Sequence, residues 1–157
     1  MDTITPERRS ENMRRIRSKG MRPEMTVRSA VHRMGYRYRL HTGSLPGKPD
    51  LVFRSRRKVI FVHGCFWHQH SRKRCGIARQ PKSNRAYWRP KLRRNAERDA
   101  RHRAELKALG WKVLVIWECQ LDDLVLLRRR VRDFLGPPGP VRSNSAATQR
   151  IRGKRPA

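Results

Sequence analysis

The chain has 157 residues, of which 36% are hydrophobic, and this length suits one domain of ordinary size. It carries 40 lysine and arginine residues against 12 aspartate and glutamate residues, a formal net charge of +28. A polyanion such as nucleic acid is therefore the leading partner, although a genome biased toward arginine would also raise the charge.

The composition argues against several other classes of protein. No apolar run approaches the roughly 20 residues of a membrane span, and residues 1–10 are polar, unlike a signal peptide. The three cysteines are an odd number, which makes a disulfide framework unsuitable. We therefore expect a cytoplasmic protein without a membrane partner, whose thiols are either buried or bound to metal.

Composition also divides the chain into three segments. Residues 1–22 are polar and rich in arginine, and we expect a basic arm that becomes ordered on contact with DNA. Residues 23–135 carry the apolar periodicity of a folded domain. Residues 136–157 are dominated by proline, glycine, serine and arginine, which predicts a flexible basic tail.

The first half of the domain is predicted to form a helix followed by strands. The helix is predicted to begin at Pro23 and to end at Gly35, and residues 36–40 alternate as a short strand. Two further strands are predicted over residues 51–53 and 59–62, joined by a basic turn. The second of these is apolar throughout, as expected of a central strand covered on both faces.

The second half of the domain is predicted to form a helix, a strand and a second helix. A long helix is predicted over residues 86–109, with Pro90 in its first turn or at a kink. Its sparse apolar stripe consists of Leu92, Ala96, Leu106 and Leu109. A strand over 111–117 and a closing helix over 121–135 complete an α/β fold with a mixed central sheet flanked by helices.

Asp50 is the leading candidate for a catalytic metal ligand. It follows a proline at the head of an apolar strand, where a rigid element can present a carboxylate to Mg²⁺. On this pattern alone, a loop aspartate that caps a turn is the commoner explanation. The next strand offers the main-chain carbonyl of Val62 and the imidazole of His63, but not the acidic-x-Lys motif that many Pro-Asp nucleases carry. Glu24 or a histidine would then replace the missing carboxylate.

Four thiol and imidazole groups have spacings that suit zinc. Two thiols and an imidazole occupy one irregular loop and a third thiol follows the last strand: Cys65, His70, Cys75 and Cys119. A tetrahedral site with these ligands would be structural, because four protein ligands leave no open position. His63 or His68 could replace the loop histidine, and the alternative is three free thiols, at least one of them buried.

Two adjacent aromatic residues in the same loop suggest a DNA wedge. Phe66 and Trp67 have fewer apolar neighbours in the sequence than a pair of core residues should have. Trp88 could join them from the start of the long helix. Apolar side chains inserted at a base step unstack it, at least cost where the bases are mismatched or damaged. The alternative is ordinary core packing, and for Trp88 the sequence favours neither role.

His68 is a candidate for proton transfer, because an imidazole titrates near neutral pH. Asp99 on the long helix is a candidate to orient it. The sequence has neither the Gly-x-Ser-x-Gly elbow of serine hydrolases nor a phosphate-binding glycine-rich loop.

With these residues identified, the chain resembles the very short patch repair (Vsr) DNA mismatch endonuclease family. The shared landmarks lie between residues 8 and 135: Asn12-Met13-Arg14, residues 44–50, residues 61–68, Asn95, residues 97–99 and residues 109–119. The resemblance implies a restriction-endonuclease-like α/β fold with structural zinc. It also implies Mg²⁺-dependent nicking of double-stranded DNA 5′ to the thymine of a T:G mispair, which arises when 5-methylcytosine deaminates.

The resemblance also implies roles for individual residues. Magnesium would be held by Asp50 and the carbonyl of Val62, with support for catalysis from Glu24, His63 and His68. Zinc would be held by Cys65, His70, Cys75 and Cys119. Phe66, Trp67 and Trp88 would intercalate in the DNA beside the mispair. Met13 of the arm would press on the mispair from the opposite groove of the DNA. Valine stands at position 62 where the family often has threonine, and the interval from His70 to Cys75 exceeds the tightest family spacing.

The implied endonuclease domain covers residues 23–135, and the implied protein is a nucleoid-associated monomer. It would be functionally linked to a cytosine-5 DNA methyltransferase and to mismatch-repair proteins. Two other functions remain open at this point. One is a non-catalytic, zinc-stabilised DNA-binding module, and the other is a nuclease with a different DNA target.

Overall fold

The computed structural model describes residues 8, 23–40, 42–71, 75–79 and 82–139. The main elements in chain order are helix α1 (23–33), strand β1 (Leu51–Phe53), strand β2 (Lys58–His63), helix α2 (Arg85–Ala108), strand β3 (Lys112–Trp117) and helix α3 (Leu124–Leu135). No helix in this part of the chain is long and apolar enough to cross a membrane. The predictions for Met13 and for the tail beyond residue 139 lie outside the described residues.

The three strands form one mixed sheet, as the sequence predicts. Their order is β1-β2-β3, with β1 antiparallel to β2 and β2 parallel to β3. The apolar strand β2 therefore occupies the centre. His63, its last residue, is the register partner of Trp117, the last residue of β3.

Both faces of the sheet are covered, because alternate side chains point to opposite sides. One core lies between the sheet and helices α1 and α3, and its buried residues include Val31, Leu51, Ile60, Ile116 and Val131. A smaller core faces α2 and comprises Val52, Val59, Phe61 and Leu106. The odd-numbered residues of β2 thus point toward α2, which decides where the histidine at the end of β2 lies.

The segment 36–40 forms less strand than its alternation predicts. Among the described residues it pairs with β1 only at Arg39, which exchanges two main-chain hydrogen bonds of 2.9 Å with Val52. The two tyrosines that precede Arg39 are held by other contacts. Tyr36 donates its hydroxyl to the carbonyl of Gly136, and Tyr38 donates to the carbonyl of Arg28. These side-chain anchors, together with the short β1, limit the ladder to one residue.

The closing helix begins at Leu124, three residues later than predicted. The Asp123 carboxylate accepts a 2.9 Å hydrogen bond from the main-chain N–H of Leu126, the usual contact of a helix N-cap. The residues between β3 and this cap form a one-turn 3₁₀ helix, Glu118–Gln120, and a turn. The predicted start at Leu121 was therefore wrong, because the chain becomes helical only after the Asp123 cap.

The long helix agrees with its predicted bounds to within one residue, but only part of its apolar stripe is buried. Leu92 and Leu106 are buried, whereas Leu109 lies beyond the last helical turn and is 53% exposed. Including Leu109 in the stripe was therefore wrong, because the helix ends at Ala108 and the chain turns outward. Pro90 lies inside the helix, in its second turn.

Candidate active site and metal-binding cluster

The sheet presents two sequence-predicted residues to α2. Val52, Val59 and Phe61 pack toward that helix. By strand alternation Asp50, two residues before Val52, and His63, two residues after Phe61, lie on the same side. The rings of Phe61 and His63 are 5.6 Å apart, as neighbours on one face should be. The carboxylate and the imidazole thus reach the same end of the sheet.

A cleft of about 480 Å³ opens at this end, between the sheet and α2. Its lining includes Asp50, Val62, His63, His68 and Asp99. The main-chain N–H of Val62 donates a 2.7 Å hydrogen bond to Oδ2 of Asp50. This bond fixes the carboxylate beside the end of β2, where the sequence predicted a metal ligand.

His68 and Asp99 form a close pair across the cleft. Nδ1 of His68 lies 2.5 Å from Oδ2 of Asp99, whose side chain is only 13% exposed. The contact that the sequence suggested between these residues is therefore present. An ionised carboxylate only accepts hydrogen bonds, so the pairing favours the tautomer in which Nδ1 carries the hydrogen and Nε2 is free to exchange a proton.

His63 stacks on His68, with ring centroids 3.9 Å apart and planes only 8° from parallel. Burial, together with the charges of His68 and Arg103, lowers the pKa of His63 to about 3 against the opposing effect of Asp99. The ring is therefore neutral at physiological pH. Its Nδ1 is buried and has no hydrogen-bond partner among the described residues. A buried polar atom without a partner costs free energy, so this atom is suited to contact a bound water, ion or substrate.

The predicted zinc ligands also come together. Because β2 and β3 are parallel and His63 pairs with Trp117, the residues two positions further on, Cys65 and Cys119, leave the sheet side by side. The loop after β2 adds His70 and Cys75, and the four ligand atoms all lie within 4.8 Å of one another. Tetrahedral zinc with Zn–S bonds of about 2.3 Å needs ligand separations near 3.8 Å, so a small contraction suffices.

Hydrogen bonds link several of these ligand atoms to one another. The main-chain N–H of Cys119 donates to Sγ of Cys65 at 3.4 Å, and Sγ of Cys119 lies 3.4 Å from Nδ1 of His70. Burial raises the pKa of Cys65 to about 12, despite the opposing effect of that N–H. Burial also tends to raise the pKa of Cys75, but hydrogen bonds from the N–H groups of Ala78 and Ile77 and from neighbouring thiols lower it overall.

The interval from His70 to Cys75, longer than the tightest family spacing, does not separate the two side chains. Residues 72–74 lie outside the described part of the chain, but Cys75 and His70 belong to the same four-residue cluster. The three cysteines, all within the described residues, form no disulfide with one another. A metal held by three thiolates and an imidazole therefore fits this geometry better than a disulfide does.

Three predicted intercalating residues form one partly exposed aromatic cluster. Phe66 and Trp67 contact each other edge to face at 5.1 Å, and Trp88 lies 5.5 Å from Phe66 and 5.9 Å from Trp67. None of the three belongs to either hydrophobic core. The Nζ of Lys91 lies 5.6–5.7 Å from both tryptophan rings. The cluster therefore presents aromatic surface and positive charge together on the outside of the domain.

Glu24 lies apart from the other predicted catalytic residues. It is half-buried on α1, where its carboxylate accepts a 3.4 Å hydrogen bond from Arg28. Among the described residues, it is not one of those that line the cleft. A supporting role for Glu24 remains a prediction.

The cleft also contains residues that sequence reasoning missed, namely Lys48, Arg98, His102 and Arg103. The signal that could have revealed the last two is helical spacing, because they lie three and four residues after Asp99 and share its face of α2. Trp117 was missed as well. Its ring stacks on His70 with centroids 4.3 Å apart and meets His63 edge-on at 5.3 Å.

Comparison with known proteins identifies the family of this chain. The family model described as DNA mismatch endonuclease Vsr matches residues 1–74. The type II nicking enzyme V.XorIIP from Xanthomonas oryzae pv. oryzae is 53% identical over 136 residues, which are 87% of this chain and 98% of that protein. The DNA mismatch endonuclease Vsr of Escherichia coli K12 is 42% identical over 113 residues, which are 72% of this chain and 70% of that one.

A third relative, the type II nicking enzyme V.NmeAIP from Neisseria meningitidis serogroup A, is 41% identical over 130 residues, or 83% of this chain and 91% of that protein. Together with the cleft, these similarities define a DNA endonuclease. The chain belongs to the Vsr DNA mismatch endonuclease family, which confirms the resemblance drawn from its sequence motifs.

Proposed function

We propose that this endonuclease nicks one strand of double-stranded DNA on the 5′ side of the thymine in T:G mispairs left by 5-methylcytosine deamination, and that it uses Mg²⁺. The observation that carries the proposal is the convergence of Asp50, His63, His68 and Asp99 on one cleft. The words mismatch and nicking in the names of the relatives support the same reaction class.

Asp50 and the main-chain carbonyl of Val62 are the proposed magnesium ligands. Magnesium prefers oxygen ligands and commonly uses one or two carboxylates together with substrate phosphate oxygens. The hydrogen bond from Val62 occupies one acceptor position of Asp50, and a carboxylate has about four such positions, so capacity for a cation remains. When bound, Mg²⁺ supplies electrostatic stabilisation to the phosphate during strand cleavage.

His68 is the proposed proton-transfer residue. Asp99 holds its ring by Nδ1, and the stacked, neutral ring of His63 supports it from the side. Nε2 of His68 is then available to move a proton in the hydrolysis of the phosphodiester. This is the orienting arrangement used by other carboxylate–histidine pairs, in which the carboxylate fixes the tautomer and does not itself take the proton.

The aromatic cluster of Phe66, Trp67 and Trp88 is the proposed wedge. Its rings are partly exposed, and two of them, Phe66 and Trp67, lie on the loop that also carries His68. Opening a base step costs a few kcal/mol and costs least at a mispair, so a wedge beside the cleft would favour mismatched DNA. The same loop leads to the zinc ligands, and we propose that structural zinc holds it rigid.

We further propose that residues 23–135 form the endonuclease domain with a restriction-endonuclease-like fold. Support comes from an acid at the head of a short strand, an antiparallel neighbour that ends in the histidine, and a parallel third strand reached through a long helix. The arm with Met13, the monomeric state and the link to a methyltransferase remain predictions.

A panel of duplexes tests the proposal. Each duplex carries one of the possible mispairs or a matched control in several sequence contexts, with either strand labelled, and is incubated with zinc-loaded protein and Mg²⁺. We expect a single nick 5′ to the thymine of T:G and none in EDTA. Cleavage only at another site would show that the enzyme has a different DNA target. Tight binding without any nick would favour the non-catalytic DNA-binding module.

A further inference from the structure

The cleft around Asp50 has a cationic wall. Lys48 contributes from the loop before β1, and α2 contributes Arg98 and Arg103. Two carboxylates, Asp50 and Asp99, lie in the same cleft, but each already accepts a hydrogen bond, from Val62 and His68 respectively. The lining therefore combines three full positive charges with two anions that are already engaged.

Strand β2 supplies none of this charge. Its single lysine, Lys58, donates a 2.6 Å hydrogen bond to the carbonyl of Phe134 at the end of α3, away from the cleft. In nucleases with an acidic-x-Lys motif the strand after the Pro-Asp pair supplies the cation. Here the cations that reach the cleft come from α2 and from the loop.

Arg103 is the less exposed of the two cations that α2 contributes to the cleft. The inward face of the helix is marked by buried Leu92 and Leu106 and by Asp99. Arg103 lies one helical turn after Asp99, so its side chain follows the same face. It is half-buried, and it lines the same cleft as His63 and His68. The guanidinium therefore lies near the histidine pair.

This guanidinium has no acceptor in the part of the chain that the structure describes. Other arginines of the domain are engaged: Arg57 donates to the carbonyl of Leu109 at 2.5 Å, and Arg56 donates to the carbonyl of Leu135 at 2.7 Å. A half-buried arginine with five donors and no internal acceptor is suited to an anion from outside.

The loop that carries Lys48 is pressed against the same turn of α2. A Cβ atom at Gly47 would come within 2.9 Å of Cβ and Nδ1 of His102, so only glycine permits this approach. Gly47 also has a φ of +72°, which favours glycine. The close contact keeps the two walls of the cleft together around the position of Arg103.

We infer that Arg103 binds the non-bridging oxygens of the phosphate at the cleavage position, in the cleft formed with Asp50 and His68. The inference rests on the proposed nicking function and adds a phosphate-binding residue to it. A planar guanidinium can donate two parallel hydrogen bonds to a phosphate, which both fixes its position and stabilises the charge that develops on it.

Two measurements with matched variants test the inference. Arg103→Met removes the guanidinium but keeps a long side chain, Arg103→Lys keeps the charge, and Arg101→Met removes an exposed arginine of the same helix outside the cleft. The first measurement follows the ring resonances of His63 and His68 by NMR during titration with inorganic phosphate, without Mg²⁺. We expect the phosphate Kd to rise about tenfold in Arg103→Met and to change less than about twofold in Arg101→Met.

The second measurement is single-turnover nicking of the T:G duplex at saturating enzyme, with DNA affinity measured separately. We expect Arg103→Met to slow nicking about a hundredfold, Arg103→Lys to restore part of the rate, and DNA affinity to change by only a few-fold. Folding of each variant is checked by its zinc content and thermal unfolding.

The outcomes separate the inference from the proposed function. Equal phosphate affinities, or equal nicking rates, in Arg103→Met and Arg101→Met would overturn the role of Arg103. A wild-type protein that fails to nick, but loses phosphate binding in Arg103→Met alone, would overturn the proposed function and still support the phosphate site.

Discussion

His63 and Trp117 end two parallel strands as register partners, and their rings meet edge-on with centroids 5.3 Å apart. Trp117 also contacts His70, whose ring stacks on the indole with centroids 4.3 Å apart. One side chain thus connects the cleft with the cysteine–histidine cluster. Since the cluster also holds both ends of the loop that carries His68, changes at the metal ligands should reach the cleft.

Zinc content is the first prediction. Purified protein should contain about one equivalent of zinc per chain, and Cys119→Ala should lose most of it, because three remaining ligands bind far more weakly than a closed tetrahedral set. Elemental analysis and thermal unfolding measure the two effects. Ser71→Ala, an exposed small residue of the same loop, is the control and should keep both zinc and Tm. A metal-free wild-type protein of full stability would contradict the structural site.

The second prediction concerns Asp50. Asp50→Asn keeps an acceptor for the N–H of Val62 but removes the negative charge, so the fold should be retained while Mg²⁺ is lost. Single-turnover nicking should fall about a hundredfold or more, with DNA binding within a few-fold of wild type. Asp122→Asn, an exposed acid before α3, is the control. Normal cleavage by Asp50→Asn would remove Asp50 from the list of magnesium ligands.

Asp99 should act through His68. In Asp99→Asn the amide can donate to Nδ1 and so favour the wrong tautomer, and we expect nicking to slow about a thousandfold with DNA affinity nearly unchanged. Glu97→Gln is the matched control, since Glu97 lies on the exposed side of the same helix and pairs with Arg93 at 2.8 Å. If both variants nick at similar rates, His68 needs no orienting partner.

The aromatic cluster should separate mismatched bases. Trp67→Ala removes its central indole, and stacking contacts of this kind contribute about 1–3 kcal/mol per base, so affinity for a T:G duplex should fall about ten- to hundredfold. The fluorescence of 2-aminopurine beside the mispair should rise on binding of the wild type and less with the variant. Trp67→Phe should restore part of the signal.

Val125→Ala is the control for this experiment, because Val125 is an apolar side chain on α3 that is 71% exposed. It tests whether loss of exposed apolar surface in general weakens DNA binding. An equal rise in 2-aminopurine fluorescence with wild type and Trp67→Ala would mean that the cluster packs against DNA without opening it.

The start of α3 gives a prediction about stability. Asp123→Ala removes the side chain that caps the helix and should lower the free energy of unfolding by about 1 kcal/mol, or Tm by about 2–4 °C. Asp122→Ala changes a neighbouring acid that is not the N-cap and should have a smaller effect. Calorimetry of zinc-loaded protein compares them, and equal shifts would show that the cap contributes nothing specific.

The sequence alone determined most of the elements and most of the site. Alternation and apolar runs identified β2 as a central strand, and the Pro-Asp pair, the histidines and the cysteines marked the residues that meet at its end. These features are local, because each depends on spacing along one segment. The family motifs added the reaction class, which spacing alone did not supply.

Only the tertiary structure decided how the segments meet. The parallel register of β2 and β3 brings Cys65 beside Cys119, and the rotation of α2 brings Asp99 to His68 and Arg103 to the cleft. Neither register nor helix rotation can be read from a single segment, because both depend on packing between residues far apart in sequence. For the same reason the exposure of Leu109 was not predicted, because burial depends on tertiary packing. The start of α3 is different, because the cap between Asp123 and Leu126 is a local signal that the predicted start at residue 121 overlooked.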